Sequence, residues 1–177
     1  MLYFVRHGES EANRKKLFAG QKDDSPLTDE GREQARITGL EIKKRGITFD
    51  RIVSSPLKRA YETAEIIADV LDLEVSMIAL DARIQEYDMG IYTGTPHQRV
   101  PSIEFVYAEG CEDPFAFKAR IEAGIRDALA NEGNTLVASH AGVGRMLDAI
   151  KEGVGPEYFY DRPGWPNASV TVIDWIK

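Results

Sequence analysis

Arg6-His7-Gly8 stands at the end of a short apolar run, Leu2-Tyr3-Phe4-Val5, whose β-forming residues predict a buried strand. A neutral imidazole is a nucleophile, and a guanidinium holds an oxyanion through paired N–H donors. A glycine lets the backbone come close and adopt positive φ. Two later stretches repeat the pattern. Arg51-Ile52-Val53 predicts a strand that runs into Ser54-Ser55-Pro56 and a helix start carrying Arg59. Thr135-Leu136-Val137-Ala138-Ser139 predicts a strand that runs into His140-Ala141-Gly142. If the three strands are parallel, Arg6, His7, Arg59 and His140 share one rim, beyond the carboxyl ends where α/β folds bind ligands. Two guanidiniums and two imidazoles converging there describe a pocket for a phosphoryl group.

The elements that must position these groups follow from local signals. Thr28-Asp29-Glu30 predicts a capped helix start with acids in its first turn. Ala35, Gly39 and Ile42 fall on one face of that helix, and Gly46 ends it. Ser55 as cap and Pro56 in the first turn predict the next helix, buried along Leu57, Ala60, Ala64, Ile67 and Leu71, with Arg59 off that stripe. Glu74 to Met77 predicts a short strand. Thr95 to Glu112 is the least regular part, with Pro96, Pro101, Gly110, His97 and Arg99; His97 reads as a surface histidine. Asp113-Pro114 predicts a helix with Phe117, Ile121, Ile125 and Ala128 inward and Gly133 beyond its end. The His140 strand leads into a helix through Val143, Met146, Leu147 and Ile150, stopped by Gly153. A Pro/Gly/aromatic loop from Gly155 to Pro166 precedes a final strand over Val170 to Trp175. Strands alternating with helices predict an α/β protein: a three-layer α/β/α arrangement around a mostly parallel sheet with right-handed crossovers.

Composition narrows the function classes. The 177 residues predict one domain with a real core, and 43% apolar with 29% charged residues is the balance of a soluble globular protein. A net charge of −7 argues against nucleic acid as a partner, so cations for a phosphate ligand must be concentrated locally. Lys15, Lys16 and Lys22 lie near the proposed pocket but read as solvated loop residues. Cys111 is the only cysteine, and no stretch is long enough for a membrane span, so a cytoplasmic location is expected. The histidines at positions 7, 97 and 140 are scattered, with neither an HxxxH pair nor a cysteine pair, so no metal is expected. No Walker loop is present and no cofactor is implied.

Arg6-His7-Gly8-Glu9-Ser10 with Asn13 is followed by Leu17-Phe18-Ala19-Gly20, then by Pro26-Leu27-Thr28 and Gly31. Ser54-Ser55-Pro56-Leu57-Lys58-Arg59-Ala60 with Thr63-Ala64 comes next, then Glu86 before Met89-Gly90, then Ser139-His140-Ala141-Gly142. In this set and order the chain resembles the histidine phosphatase superfamily, the phosphoglycerate mutase-like proteins. The resemblance spans most of the chain and implies the phosphoglycerate mutase-like fold over residues 1–177. A short insertion at about 93–112 would cover an open pocket. It implies catalysis by His7, Glu86, Arg6, Arg59 and His140. It further implies phosphate or substrate binding by Arg6, Ser10, Asn13, Gly20, Arg59 and His140. Two departures stand out. Thr93 replaces a Glu common in the family before this glycine, which is expected to alter local packing. Gly110-Cys111-Glu112-Asp113 only loosely matches the family's Gly-Gly-Glu-Ser.

The implied chemistry is attack by neutral His7 on a small phosphorylated substrate to give a phosphohistidine. Its other nitrogen would be pinned through its N–H by a group such as a backbone carbonyl. Glu86 would protonate the leaving oxygen and then take a proton from water, and an adjacent anionic phosphate favours the protonated form that this requires. Arg6, Arg59, His140 and uncharged Asn13 would stabilise the phosphoryl oxygens. A metal-independent phosphomonoesterase is the first expectation. A phosphoglycerate mutase is the second; dedicated mutases carry Arg-His-Tyr-Gly after the acid, where this chain has Tyr87-Asp88-Met89-Gly90. A noncatalytic phospho-ligand module is the third, and it would lack the nucleophile or the acid, which are present. The oligomeric state is not written in the sequence.

Overall fold

The computed structural model describes residues 1–98, 100–130 and 132–175. Arg99 lies outside the described residues. The chain forms β1 (Leu2–Arg6), the four-residue α1 (Glu11–Arg14), α2 (Asp29–Lys44), β2 (Arg51–Ser54) and α3 (Lys58–Val70). There follow β3 (Ile78–Leu80), α4 (Ser102–Val106), α5 (Pro114–Leu129), β4 (Thr135–Ser139), α6 (Ala141–Glu152) and β5 (Val170–Ile173). The sheet order is β3-β2-β4-β1-β5. β1, β2, β3 and β4 run parallel, and β5 closes one edge antiparallel to β1.

The alternation of side chains along the strands makes the three layers. Leu2, Phe4, Val53 and Val137 point to one face and pack with Phe117, Ile121 and Ile125 of α5 and Val143, Met146 and Leu147 of α6. Val5, Ile52, Leu136 and Ala138 point to the other and pack with Ile42 of α2 and Ala64, Ile67 and Ala68 of α3. β4, in the middle, is buried on both faces throughout. This is the mostly parallel phosphoglycerate mutase-like α/β fold that the motif set implies.

Register carries the site. Arg6 is paired with Ser139 and Ser54 with Ala138, so β1, β4 and β2 end at one level. Beyond those ends the His7 N–H still donates to the Ser139 carbonyl at 3.0 Å, and the Ser55 N–H to the Ala138 carbonyl at 3.0 Å. His7, His140 and Ser55 therefore emerge side by side from neighbouring strands.

Three local expectations are corrected. Residues Val75–Met77 form a 3₁₀ turn rather than a strand, and the strand is Ile78–Leu80, paired from Ile78 to Ile52. The apolar character runs on from Val75 to Leu80 at a partly exposed edge, so only pairing with β2 selects which part is extended. Ser55 and Pro56 also precede α3 rather than open it: the cap position is Leu57, without a side-chain bond. Gly8, finally, does not use positive φ. It is needed for close approach, since a Cβ there would stand 2.2 Å from the Gly31 carbonyl oxygen at the start of α2.

Candidate active site

A cavity of about 300 Å³ opens beyond the ends of the parallel strands. Arg6, His7, Asn13, Gly20, Arg59 and Glu86 line it among others. His140 and Ser10 do not. His140 is fully buried behind His7, their ring centroids 5.3 Å apart. Ser10 is the N-cap of α1, where its hydroxyl accepts the Asn13 N–H in a reciprocal capping box.

His7 is 3% exposed, and its Nδ1 lies 2.7 Å from the Gly8 carbonyl oxygen. A carbonyl only accepts, so Nδ1 carries the hydrogen and Nε2 keeps a lone pair. Burial, reinforced by the charges of Arg59 and Arg6, pushes the His7 pKa well below the ordinary histidine value, so the ring is neutral at neutral pH. Burial and the same arginines do the same to His140. The His140 Nε2 meets the Ser55 hydroxyl at 2.7 Å, and its buried Nδ1 has no partner among the described residues.

Arg59 is 1% exposed and fixed by donation to the Asp23 carbonyl at 2.7 Å and the Gly20 carbonyl at 2.9 Å. Gly20 thus meets Arg59 through its carbonyl, at a turn where its φ of 60° favours glycine. Arg6 donates to the Trp165 carbonyl and keeps a buried Nε without a partner among the described residues. Burial, with Arg145 and Arg59 nearby and Glu86 opposing them, pushes Arg6 down to about 10, still charged at neutral pH. Neither arginine forms an ion pair among the described residues. Their remaining N–H donors have no protein acceptor among the described residues. Asn13 accepts from the Ser10 N–H and the Asn167 amide through Oδ1, which leaves its NH₂ to donate.

Glu86 is 5% exposed and is the one carboxylate on the described lining. Oε1 accepts the Tyr87 N–H at 2.8 Å and Oε2 accepts the Gly142 N–H at 3.1 Å. Other acids of the region are engaged elsewhere. Asp88 pairs with Lys22 at 3.0 Å, and Glu112 with Arg120 at 2.6 Å.

Several residues that shape the site escaped sequence reasoning. Arg145 of α6 lines the cavity as a third guanidinium. Its one sequence signal is a cation five residues past His140 in an otherwise apolar stripe. Arg120 of α5 donates to the carbonyls of Arg83, Gln85 and Glu86, which pins the loop bearing the Glu86 carboxylate. Thr63 of α3 accepts the Gly8 N–H at 3.1 Å and donates to the Arg59 carbonyl at 2.7 Å, tying the His7 strand end to the Arg59 helix. The loop before β5 supplies Phe159, Tyr160 and Gly164 to the wall, whereas residues 95–112 contribute only His97 among the described residues. His97 is exposed at the mouth, its ring tilted against Phe18 at 4.7 Å between centroids. Lys15, Lys16 and Lys22 are exposed and off the lining. Thr93 ends a 3₁₀ turn with its buried hydroxyl unpartnered among the described residues.

The family model of the histidine phosphatase superfamily (branch 1) matches residues 2–177. The chain belongs to that superfamily. It is 31% identical over 187 residues to a broad-specificity phosphatase of Saccharomyces cerevisiae, covering 99% of this chain and 80% of the yeast protein. It is 32% identical over 198 residues to an Enterobacter protein named as a probable phosphoglycerate mutase, covering 98% and 84%. Among solved structures, a mycobacterial glucosyl-3-phosphoglycerate phosphatase in complex with VO3 superposes with a TM-score of 0.80 at 25% identity, covering 96% and 88%. This histidine phosphatase superfamily member is thus related to phosphatases and to mutases alike. Among its described residues no helix is long and apolar enough to cross a membrane.

Proposed function

We propose that the protein is a metal-independent phosphomonoesterase that hydrolyses a small phosphorylated metabolite through a phosphohistidine on His7. The observation that carries this is the His7 Nδ1–H held by the Gly8 carbonyl, which leaves Nε2 as an unprotonated nucleophile in a cavity lined by guanidiniums. Nε2 attacks phosphorus, the ester P–O bond breaks, and Glu86 gives its proton to the departing oxygen. Water then attacks phosphorus, the N–P bond breaks, and Glu86 takes the water's proton. Arg6 and Arg59 hold the equatorial oxygens, which bear the charge throughout. The bound dianion makes His140 a better cation, and its free Nδ1 then donates to a phosphoryl oxygen while Nε2 stays with Ser55. The Asn13 amide adds an uncharged donor.

Among the described residues no three side chains of His, Cys, Asp or Glu come together as a metal site. On the same reading residues 1–177 act as one cytosolic catalytic domain, with 93–112 as a short cover and with neither nucleic acid nor membrane as partner. A mutase reading rests on the Enterobacter relative. It differs only in returning the phosphoryl group to substrate rather than to water.

The test is rapid quench with a ³²P-labelled phosphomonoester under alkaline conditions that spare phosphohistidine. Label is expected on His7, stable to EDTA treatment of the enzyme, and lost in His7→Ala. Label on another residue, or full turnover by His7→Ala, would refute the reading. Transfer of label to a phosphoglycerate acceptor in preference to water would favour the mutase.

A further inference from the structure

We infer that the free edge of Arg145, opposite Gly164, docks a carboxylate of the substrate, so that the preferred substrates are phosphomonoesters carrying a carboxylate. The inference rests on the phosphomonoesterase reading and adds to it the chemistry of the rest of the substrate.

Arg145 is split between two tasks. Its Nη1 donates to the carbonyls of Tyr160, at 2.7 Å, and Arg162. Its Cζ lies 4.8 Å over the Tyr160 ring, so the guanidinium plane is fixed by hydrogen bonds and stacking together. Nε and Nη2 form the opposite edge and make no hydrogen bond or ion pair among the described residues, although the residue lines the cavity. Two parallel N–H donors on one rigid edge match a planar carboxylate.

Gly164 keeps that edge open. A Cβ on Gly164 would stand 3.1 Å from Nη2 and 3.5 Å from Nε, so any side chain would begin to cover it. The φ of Gly164 is outside the left-handed region, so backbone conformation does not call for glycine here.

Charge counting agrees. Arg6, Arg59 and Arg145 line the cavity against Glu86 alone among carboxylates of the described residues. A phosphomonoester dianion balances two guanidiniums. When Glu86 carries the proton that it gives to the leaving group, at least one positive charge is left, and two where His140 is protonated, so a second anionic group on the leaving side is matched by the cavity.

The experiment compares kcat/KM for alkyl phosphates with that for ω-phosphonooxy carboxylates of two, three and four carbons, and for the matching alkanediol bisphosphates. At one chain length the carboxylate is expected to raise kcat/KM about tenfold or more. Arg145→Gln should collapse that ratio towards one. So should Gly164→Val, which covers the edge but leaves the charge and the Tyr160 and Arg162 contacts in place. No carboxylate preference at any length in the natural protein would overturn the inference. So would a preference surviving in Gly164→Val and Arg145→Gln, or a larger gain from the bisphosphates than from the carboxylates. Absence of turnover of every ester, with no label on His7, would remove the phosphomonoesterase reading and this one with it. A phosphatase that turns over all esters alike overturns this one only.

Discussion

The amide of Gly142 donates to the Glu86 carboxylate at 3.1 Å, and a Cβ on Gly142 would stand 2.1 Å from its other oxygen. Glycine at that position is therefore a condition for the place that Glu86 occupies. Gly142→Ala should fold, because alanine suits the first turn of α6 and Gly142 needs no positive φ. It should push the Glu86 carboxylate aside and lower alkyl-phosphate turnover by about 10²-fold, the lower end of what a positioned general acid contributes. Steady-state kinetics beside circular dichroism decide this, and an active, folded Gly142→Ala would separate Glu86 from the acid role.

Glu86→Gln keeps the shape of the side chain and removes the proton. An alkyl phosphate needs its leaving oxygen protonated, whereas p-nitrophenyl phosphate leaves with little help. Single-turnover phosphorylation of His7 should therefore fall far more with the alkyl ester. Steady-state rates would blur the contrast, because dephosphorylation needs the Glu86 carboxylate as a base for either substrate. Equal losses would argue against Glu86 as the acid.

Arg59→Ala should behave differently. Its guanidinium is buried and anchored by the Asp23 and Gly20 carbonyls, so it stabilises phosphoryl charge whatever the leaving group. Losing such a donor costs about 10²–10³ in rate. The loss is expected to be the same for alkyl and aryl esters in the single-turnover comparison, and a leaving-group dependence would contradict it.

Thr63 offers a test of the link between the two halves of the site. Thr63→Val leaves the buried Gly8 N–H without its acceptor, which should cost about 1–3 kcal/mol in urea unfolding. Thr63→Ser should restore most of it, since its hydroxyl can take up the same two bonds. Equal destabilisation by serine and valine would show that the methyl group, not the hydroxyl, matters.

The histidine pair predicts an acid limb of stability. His7 and His140 are held neutral in the fold by burial, with pKa values well below that of an unfolded histidine. Below about pH 6.5 the unfolded chain takes up protons that the folded chain refuses, so stability must fall as the pH drops. The limiting slope is about 1.4 kcal/mol per pH unit for each histidine. Urea midpoints at pH 7.5, 6.5 and 5.5 should decline across that window, and the decline should flatten in the His7→Gln, His140→Gln double variant. A natural protein equally stable at pH 7.5 and 5.5 would contradict the buried neutral pair.

The sequence by itself determined where each strand stops and which residues stand there. The run Leu2–Val5 gives way abruptly to Arg6-His7-Gly8, and Thr135–Ser139 to His140, because burial demands apolar side chains up to the rim and chemistry demands polar ones beyond it. The stripes of α2, α3, α5 and α6 were legible for the same local reason: period and caps are properties of neighbouring residues. Tertiary structure alone decided the pairing of Arg6 with Ser139 and of Ser54 with Ala138, which brings the four cations and imidazoles to one level. It also decided that Ile78–Leu80 rather than residues 74–77 joins β2, since an exposed apolar edge fixes its register only against a partner. Arg120, Thr63 and Arg145 act through backbone groups far away in the chain, where no spacing rule records the contact. The wall from Phe159 to Gly164 reads in sequence as a connecting loop. It becomes part of the site only because Arg6 and Arg145 hold its carbonyls against the ends of the parallel strands.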